Sequence, residues 1–173
     1  MAASLQRVFL ALWPTAPVLA RLRTAAPMHV SGRHMRADTL HMTLAFIGEV
    51  NETDCADIIS AVGRVQAPAF TLRLDALGYW ANNHILWAGT SRTPEVLSKL
   101  AADLRGTLDG IGIPYDRKAF TPHVTLMRNA SAVVAERLQD PIEWPIREWR
   151  LVRSRPRSIG PHYETLARWP CEG

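Results

Sequence analysis

Two short stretches of this 173-residue chain carry the residue types that acid–base chemistry needs. Leu40-His41-Met42-Thr43-Leu44 returns in outline, 82 residues later, as Pro122-His123-Val124-Thr125-Leu126. H-x-T-L therefore occurs twice, about half a chain apart, as an internal repeat would leave it. Imidazole titrates near neutrality, so one ring can take a proton from water while another gives one to a departing alkoxide. Hydroxyls can hold the non-bridging oxygens of a phosphate as they gain charge. Two imidazoles and two hydroxyls sharing a cleft suit phosphodiester transfer, with neither a metal nor a covalent intermediate on the protein. A metal site is not expected, because H-x-T supplies one good ligand per strand and no Cys or carboxylate accompanies it at ligand spacing. Each motif alone reads as a packed His and a strand-forming Thr; the pair points to chemistry.

Both motifs need strands beneath them. In a strand, alternate side chains share a face, so His41 points with Thr43 and His123 with Thr125, while Leu44 and Leu126 point oppositely into a core. Strands are predicted at Arg7–Leu12, Leu40–Ile47 (ended by Gly48), Phe70–Ala76, His84–Ala88, Phe120–Met127, Glu148–Arg153 and His162–Trp169. A first helix is read over Ala16–Thr24. A second follows Asn51 as N-cap, with Cys55, Ile58, Ile59 and Val62 at helical spacing. A third opens at Thr93-Pro94-Glu95, with Thr93 as capping hydroxyl, and carries Leu97, Leu100, Ala101, Leu104 and Leu108 as its apolar stripe before Gly110 or Gly112 stops it. The order is α+β, without the regular alternation of a doubly wound sheet.

The composition, 47% hydrophobic and 21% charged, excludes a disordered chain or a fibre. No stretch approaches the ~20 apolar residues of a membrane helix. Arg7 followed by an apolar run loosely resembles a signal peptide, but Pro14 and Pro17 interrupt that run, so a buried strand is the better reading. Net charge is +4, carried by 18 Arg against only Lys99 and Lys118. Arg offers a planar fork that grips phosphate. Arg147, Arg150, Arg153, Arg155 and Arg157 cluster near the C-terminus and read as a solvated charged face, with an RNA backbone groove as the alternative. Cys55 and Cys171 form no CxxC pair and no disulfide framework, which fits a reducing compartment and a cytoplasmic location.

The paired H-x-T-L strands resemble the 2H phosphoesterase superfamily. Arg7–Leu12 resembles its opening strand, and Leu40–Val50 and Phe120–Arg128 its two signature segments. Phe70–Gly89 and Tyr163–Pro170 resemble the bacterial RNA 2′,3′-cyclic phosphodiesterase group, also named 2′-5′ RNA ligases. The resemblance covers nearly the whole chain. It implies one domain over residues 1–173, an α+β fold of two interleaved, pseudo-symmetric lobes with antiparallel sheets and helices outside, each lobe carrying one H-x-T-L strand and the active site lying in the cleft between them. It implies a monomer that needs no cofactor, acts on RNA ends or nucleotides carrying a 2′,3′-cyclic phosphate, leaves a 2′-phosphate, and catalyses a weak, reversible 2′-5′ ligation. By the same match His41 is the general acid to the leaving 3′-oxygen, His123 is the general base on water, and Thr43, Thr125 and Arg128 bind the phosphate.

Arg128 raises a geometric difficulty. It stands at an odd offset from His123, so an ideal strand turns it away from the cleft, and a bulge or the strand's end must re-aim it. Phe46 occupies the equivalent place after His41 and offers a surface on which a terminal base can stack. Two other readings stay open. One is a non-catalytic nucleotide-binding module on the same cleft. The other is a related enzyme for another phosphoester, such as a 2′-5′-linked oligonucleotide or an ADP-ribose cyclic phosphate.

Overall fold

The computed structural model describes residues 4–173; residues 1–3 of the expected domain lie outside the described residues. Its strands are β1 (Gln6–Leu12), β2 (Arg33–His34), β3 (Met42–Val50), β4 (Phe70–Trp80), β5 (Ile85–Gly89), β6 (His123–Arg128), β7 (Glu136–Ile146), β8 (Glu148–Arg155) and β9 (His162–Pro170). The helices are α1 (Ala16–Arg23), α2 (Glu52–Val62) and α3 (Glu95–Gly110), with one 3₁₀ turn at Ala37–Thr39.

The strands form one sheet in the order β7-β4-β5-β6-β3-β1-β8-β9, with β2 added beside β6. Every pairing between these strands is antiparallel. The sheet divides at its centre. β3 and β6, the strands that carry the two motifs, meet through a single bridge, Met42 opposite Val124. On one side lie β3, β1, β8 and β9, and on the other β6, β5, β4 and β7, two four-stranded halves of one sheet. The chain crosses between them repeatedly. α1 follows β1 but packs on β7, and α3 precedes β6 but packs on β3.

Alternation sorts the side chains into two faces. Met42, Leu44, Val124 and Leu126 are buried in the same core as Ile58 and Val62 of α2 and Leu97, Leu100 and Leu104 of α3. The helices therefore cover the face opposite the His and Thr side chains. Fully burying one such aliphatic side chain contributes roughly 1.5–3 kcal/mol, so this shared core holds the halves together where the backbone pairing is thin. The α3 stripe is buried as its spacing predicts, and Asn51 caps α2 by accepting the Asp54 amide at 2.8 Å.

Three expectations are corrected. Thr93 does not cap α3: Pro94 is the capping position, and no side chain bonds the first turn. β3 starts at Met42 rather than Leu40 and does not stop at Gly48 but continues to Val50, because Gly48 takes φ +93°, a conformation open to glycine, within an irregular pairing. β7 was not foreseen. It is an edge strand with Glu136, Arg137, Asp140, Pro141, Glu143 and Pro145, a composition that masks period-two alternation.

Gly78 faces Trp87 across the β4–β5 pair, and a Cβ on Gly78 would overlap the indole ring. Gly78→Ala should therefore displace Trp87 and destabilise the protein by about 1–3 kcal/mol, the usual cost of overpacking. Urea denaturation followed by tryptophan emission measures this, and an unchanged midpoint would contradict the packing.

Candidate functional site

The antiparallel bridge at Met42 and Val124 joins equivalent residues of the two motifs, so a local two-fold axis passes through it. Residues opposite one another in an antiparallel pair project to the same face. With Met42 and Val124 in the core, the register sets Thr43 level with His123 and His41 level with Thr125 on the other face. His41, Thr43, His123 and Thr125 all line one cleft of about 360 Å³.

The backbone fixes both rings in the same way. Nδ1 of His41 lies 2.7 Å from the Thr39 carbonyl, and Nδ1 of His123 lies 2.7 Å from the Thr121 carbonyl. A carbonyl only accepts, so in the neutral rings Nδ1 carries the proton and Nε2 presents a lone pair. Nε2 of His41 accepts from the Thr43 hydroxyl at 3.1 Å.

Two matching bulges place the next residues. Leu10 pairs with Ala45 and Ala11 with Thr43, leaving Leu44 without a partner on β1; Leu86 pairs with Met127 and Trp87 with Thr125, leaving Leu126 without one on β5. Each bulge makes two successive residues face the core, Leu44-Ala45 and Leu126-Met127, all buried. Alternation then resumes in the opposite phase, which turns Phe46 and Arg128 into the cleft, where both are found. The odd offset of Arg128 is resolved by this bulge.

The surroundings of the two rings differ. Trp13 stacks on His41 at 5.3 Å between centroids and 8° between planes, while Phe9 and Tyr163 close on it at 4.9 and 5.3 Å. His123 meets the edge of Trp80 at 4.5 Å, with Trp87 behind at 6.4 Å. Burial pushes the His41 pKa down to about 4; the Thr39 carbonyl opposes this, and the positive charges of His123 and Arg128 add to it. His123 is lowered too, first by burial and then by Arg128, again against its carbonyl partner. Arg128 stands opposite Arg33 in the β2–β6 pair, and like charges in register repel. No carboxylate pairs with Arg128 among the described residues. The cleft is thus cationic, holds two neutral imidazoles near pH 7, and suits an anion.

Sequence reasoning did not find Arg7, Phe9, Thr39 or Ser154, which also line the cleft. Arg7 and Phe9 do alternate on β1, but the run Val8–Leu12 is apolar on both faces, so its pattern conceals which face looks out. Tyr163 also lies in the cleft, and burial raises its pKa. His29, His34, His84 and His162 do not line the cleft. No group of three or more metal-ligating side chains occurs among the described residues. No helix among them is long and apolar enough to cross a membrane.

A ring whose folded pKa lies below its unfolded value binds fewer protons folded than unfolded across the window between them. For His41 that window runs from about 4 up to the ordinary 6.5, so stability is present above it and is lost as pH falls through it. The lowered His123 acts with the same sign. The thermal midpoint should fall steadily on acidification across this range, and His41→Gln should flatten the fall. An unchanged pH slope in that variant would show that His41 titrates normally.

In sequence and in fold the chain is similar to known proteins. The chain is 39% identical over 104 residues to the RNA 2′,3′-cyclic phosphodiesterase of Escherichia coli (strain K12), covering 60% of this chain and 59% of that protein. The match to the Thermus thermophilus RNA 2′,3′-cyclic phosphodiesterase is 32% over 146 residues, 78% of this chain and 73% of the relative. The fold superimposes on the crystal structure of E. coli LigT in apo form with a TM-score of 0.89 at 31% identity, covering 99% of this chain and 100% of that one. A LigT structure complexed with 3′-AMP matches at a TM-score of 0.88. The profile of the 2′-5′ RNA ligase superfamily matches residues 10–157, and the chain belongs to that family.

Proposed function

We propose that this protein is an RNA 2′,3′-cyclic phosphodiesterase that opens the cyclic phosphate to a 2′-phosphate by two-histidine acid–base catalysis. The observation that carries the reading is the dyad-related pair of imidazoles, each held through Nδ1 by the carbonyl two residues earlier, with Nε2 left for the cleft. Nε2 of His123 takes a proton from water as its oxygen attacks phosphorus. The P–O3′ bond breaks, and His41 gives its Nε2 proton to the departing 3′-oxygen. Thr43, Thr125 and Arg128 hold the non-bridging oxygens as they gain charge. With a 5′-hydroxyl in place of water, the same groups make a 2′-5′ linkage. Phe46 supplies a face for the terminal base; Arg7 already covers the ring at 5.0 Å.

The base role requires a neutral His123, the form burial favours. The acid role requires a protonated His41, and here the substrate contributes. An anion in the cleft provides the opposite charge that raises an imidazole pKa. Once Nε2 of His41 carries a proton it donates, and the Thr43 hydroxyl that occupied its lone pair is freed to turn to a phosphate oxygen. No step needs a metal.

Relatives of the same name and the LigT complex with 3′-AMP support a nucleotide substrate. Two free thiols support a cytoplasmic setting.

His41→Ala and His123→Ala should each lower kcat on a 2′,3′-cyclic nucleotide by at least ~10²-fold, the usual worth of a positioned acid or base. EDTA should leave the wild-type rate unchanged. A cyclic substrate with sulfur in place of the 3′-oxygen needs no proton on its leaving group, so it should rescue His41→Ala and not His123→Ala. Rescue of His123→Ala instead would reverse the two roles. Nucleotide binding without turnover would leave only a binding module.

A further inference from the structure

β3 and β6 pair at Met42 and Val124 alone, and the same register carried two residues further would set Leu44 against Pro122, which has no N–H to donate. Past that point one side chain spans the gap. Arg105 of α3 donates through Nε to the Leu44 carbonyl on β3 at 3.3 Å. Through a terminal nitrogen it donates to the Lys118 carbonyl, on the segment that leads into β6, at 2.9 Å. We infer that Arg105 is a positioning residue: its guanidinium joins the two half-sheets where backbone pairing stops and sets the distance between the His41 and His123 sides of the cleft. The inference deepens the phosphodiesterase reading and rests on it for its kinetic readout.

The bridge reaches both motifs through short lengths of backbone. Leu44 directly follows Thr43. Lys118 stands three residues before Thr121, whose carbonyl holds Nδ1 of His123 at 2.7 Å. Asp116, in the same segment, donates its amide to the Phe46 carbonyl of β3 at 2.8 Å. The segment is therefore tied to β3 twice, once directly and once through Arg105. Leu44 is also the residue that the bulge leaves without a partner on β1, so Arg105 grips β3 at the residue where the turn of Phe46 into the cleft begins.

The fork is held for this part. Its guanidinium lies 5.7 Å from the ring centroids of both Tyr115 and Phe120. No carboxylate pairs with Arg105 among the described residues; the neighbouring Asp116 lies 3.6 Å from Lys118 instead. Arg105 lines the adjoining cavity near Trp80, not the cleft that holds both imidazoles, so it acts through the two backbones rather than on the phosphate. A planar guanidinium presents its N–H groups in a rigid fork and can hold two carbonyls at a set separation, which a flexible ammonium cannot.

The test is Arg105→Ala and Arg105→Lys, assayed on adenosine 2′,3′-cyclic phosphate. Displacement of reacting groups by about 1 Å can cost ~10²-fold, so kcat should fall by about 10–100-fold in the alanine variant. Guanidinium chloride at millimolar concentration, which can enter the open cavity, should recover most of that loss, and equal sodium chloride should recover none. Guanidinium weakens folded proteins in general, so a gain in stability cannot mimic this recovery. Arg105→Lys keeps the charge but not the fork and should lose kcat as the alanine variant does; if the alanine variant does not fold, the lysine variant decides alone. Wild-type kcat in either variant overturns the bridge, and so does a loss in Arg105→Ala that guanidinium leaves in place. Affinity for inorganic phosphate, read by titration calorimetry, should follow the same pattern, because one phosphate must meet both halves. Failure of the wild type to turn over the cyclic nucleotide sinks the phosphodiesterase reading instead, and phosphate affinity then decides the bridge: equal affinity in wild type and variants overturns it.

Discussion

One antiparallel contact organises the site: Met42 opposite Val124, the single bridge between two four-stranded half-sheets. Because it joins equivalent positions of the repeated motif, it imposes a local dyad, and one imidazole and one hydroxyl from each half meet across it. A fuller pairing of β3 with β6 would close the space between them. No pairing at all would leave the halves free to shift, and reacting groups lose much of their effect on displacement by about 1 Å. Thin backbone contact over a continuous apolar core keeps the cleft open and the halves fixed.

Equivalent motifs do not make equivalent rings. The carbonyl-to-Nδ1 hydrogen bond repeats at the same distance, so local backbone geometry follows the dyad. The side chains around the rings do not. His41 sits in a box of Phe9, Trp13 and Tyr163, drawn from β1, the segment after it and β9, whereas His123 rests against Trp80 and Trp87 of β4 and β5. Desolvation penalises the charged imidazole in proportion to how completely water is excluded, so His41 carries the large shift. In the proposed mechanism, symmetry broken at this level lets two identical functional groups take opposite parts in one proton cycle.

The parts that could be read from the sequence are those set by short-range periodicity. The α3 stripe, the Asn51 cap and the shared face of each His and Thr all follow from periods of 3.6 and 2, and each is found where those periods put it. Phe46 and Arg128 mark the limit. Their place in the cleft depends on bulges at Leu44 and Leu126, and those residues look like any other strand leucines; the extra residue exists only in relation to the partner strand. β7 was hidden because an edge strand tolerates charges and prolines that a central strand rejects. The aromatic box was hidden because its members lie about 150 residues apart, and only the sheet order β3-β1-β8-β9 brings them together.

The same sheet order accounts for the uneven distribution of charge. The β3–β1–β8–β9 half brings Arg7 to the cleft, with Arg153, Arg155 and Arg157 in the cavity beside it, while β6 contributes Arg128 to the cleft, facing Arg33 of β2. Holding these cations close carries an electrostatic cost, since Arg33 faces Arg128 in register and Arg128 lowers both imidazoles. In the proposed function that cost falls as a phosphate enters, and it falls twice, because the anion both screens the arginines and raises the proton affinity of the rings. Binding and proton-transfer readiness are thus coupled through one charge. Burial keeps the rings neutral until the anion arrives, and Arg128, which attracts it, adds to that effect.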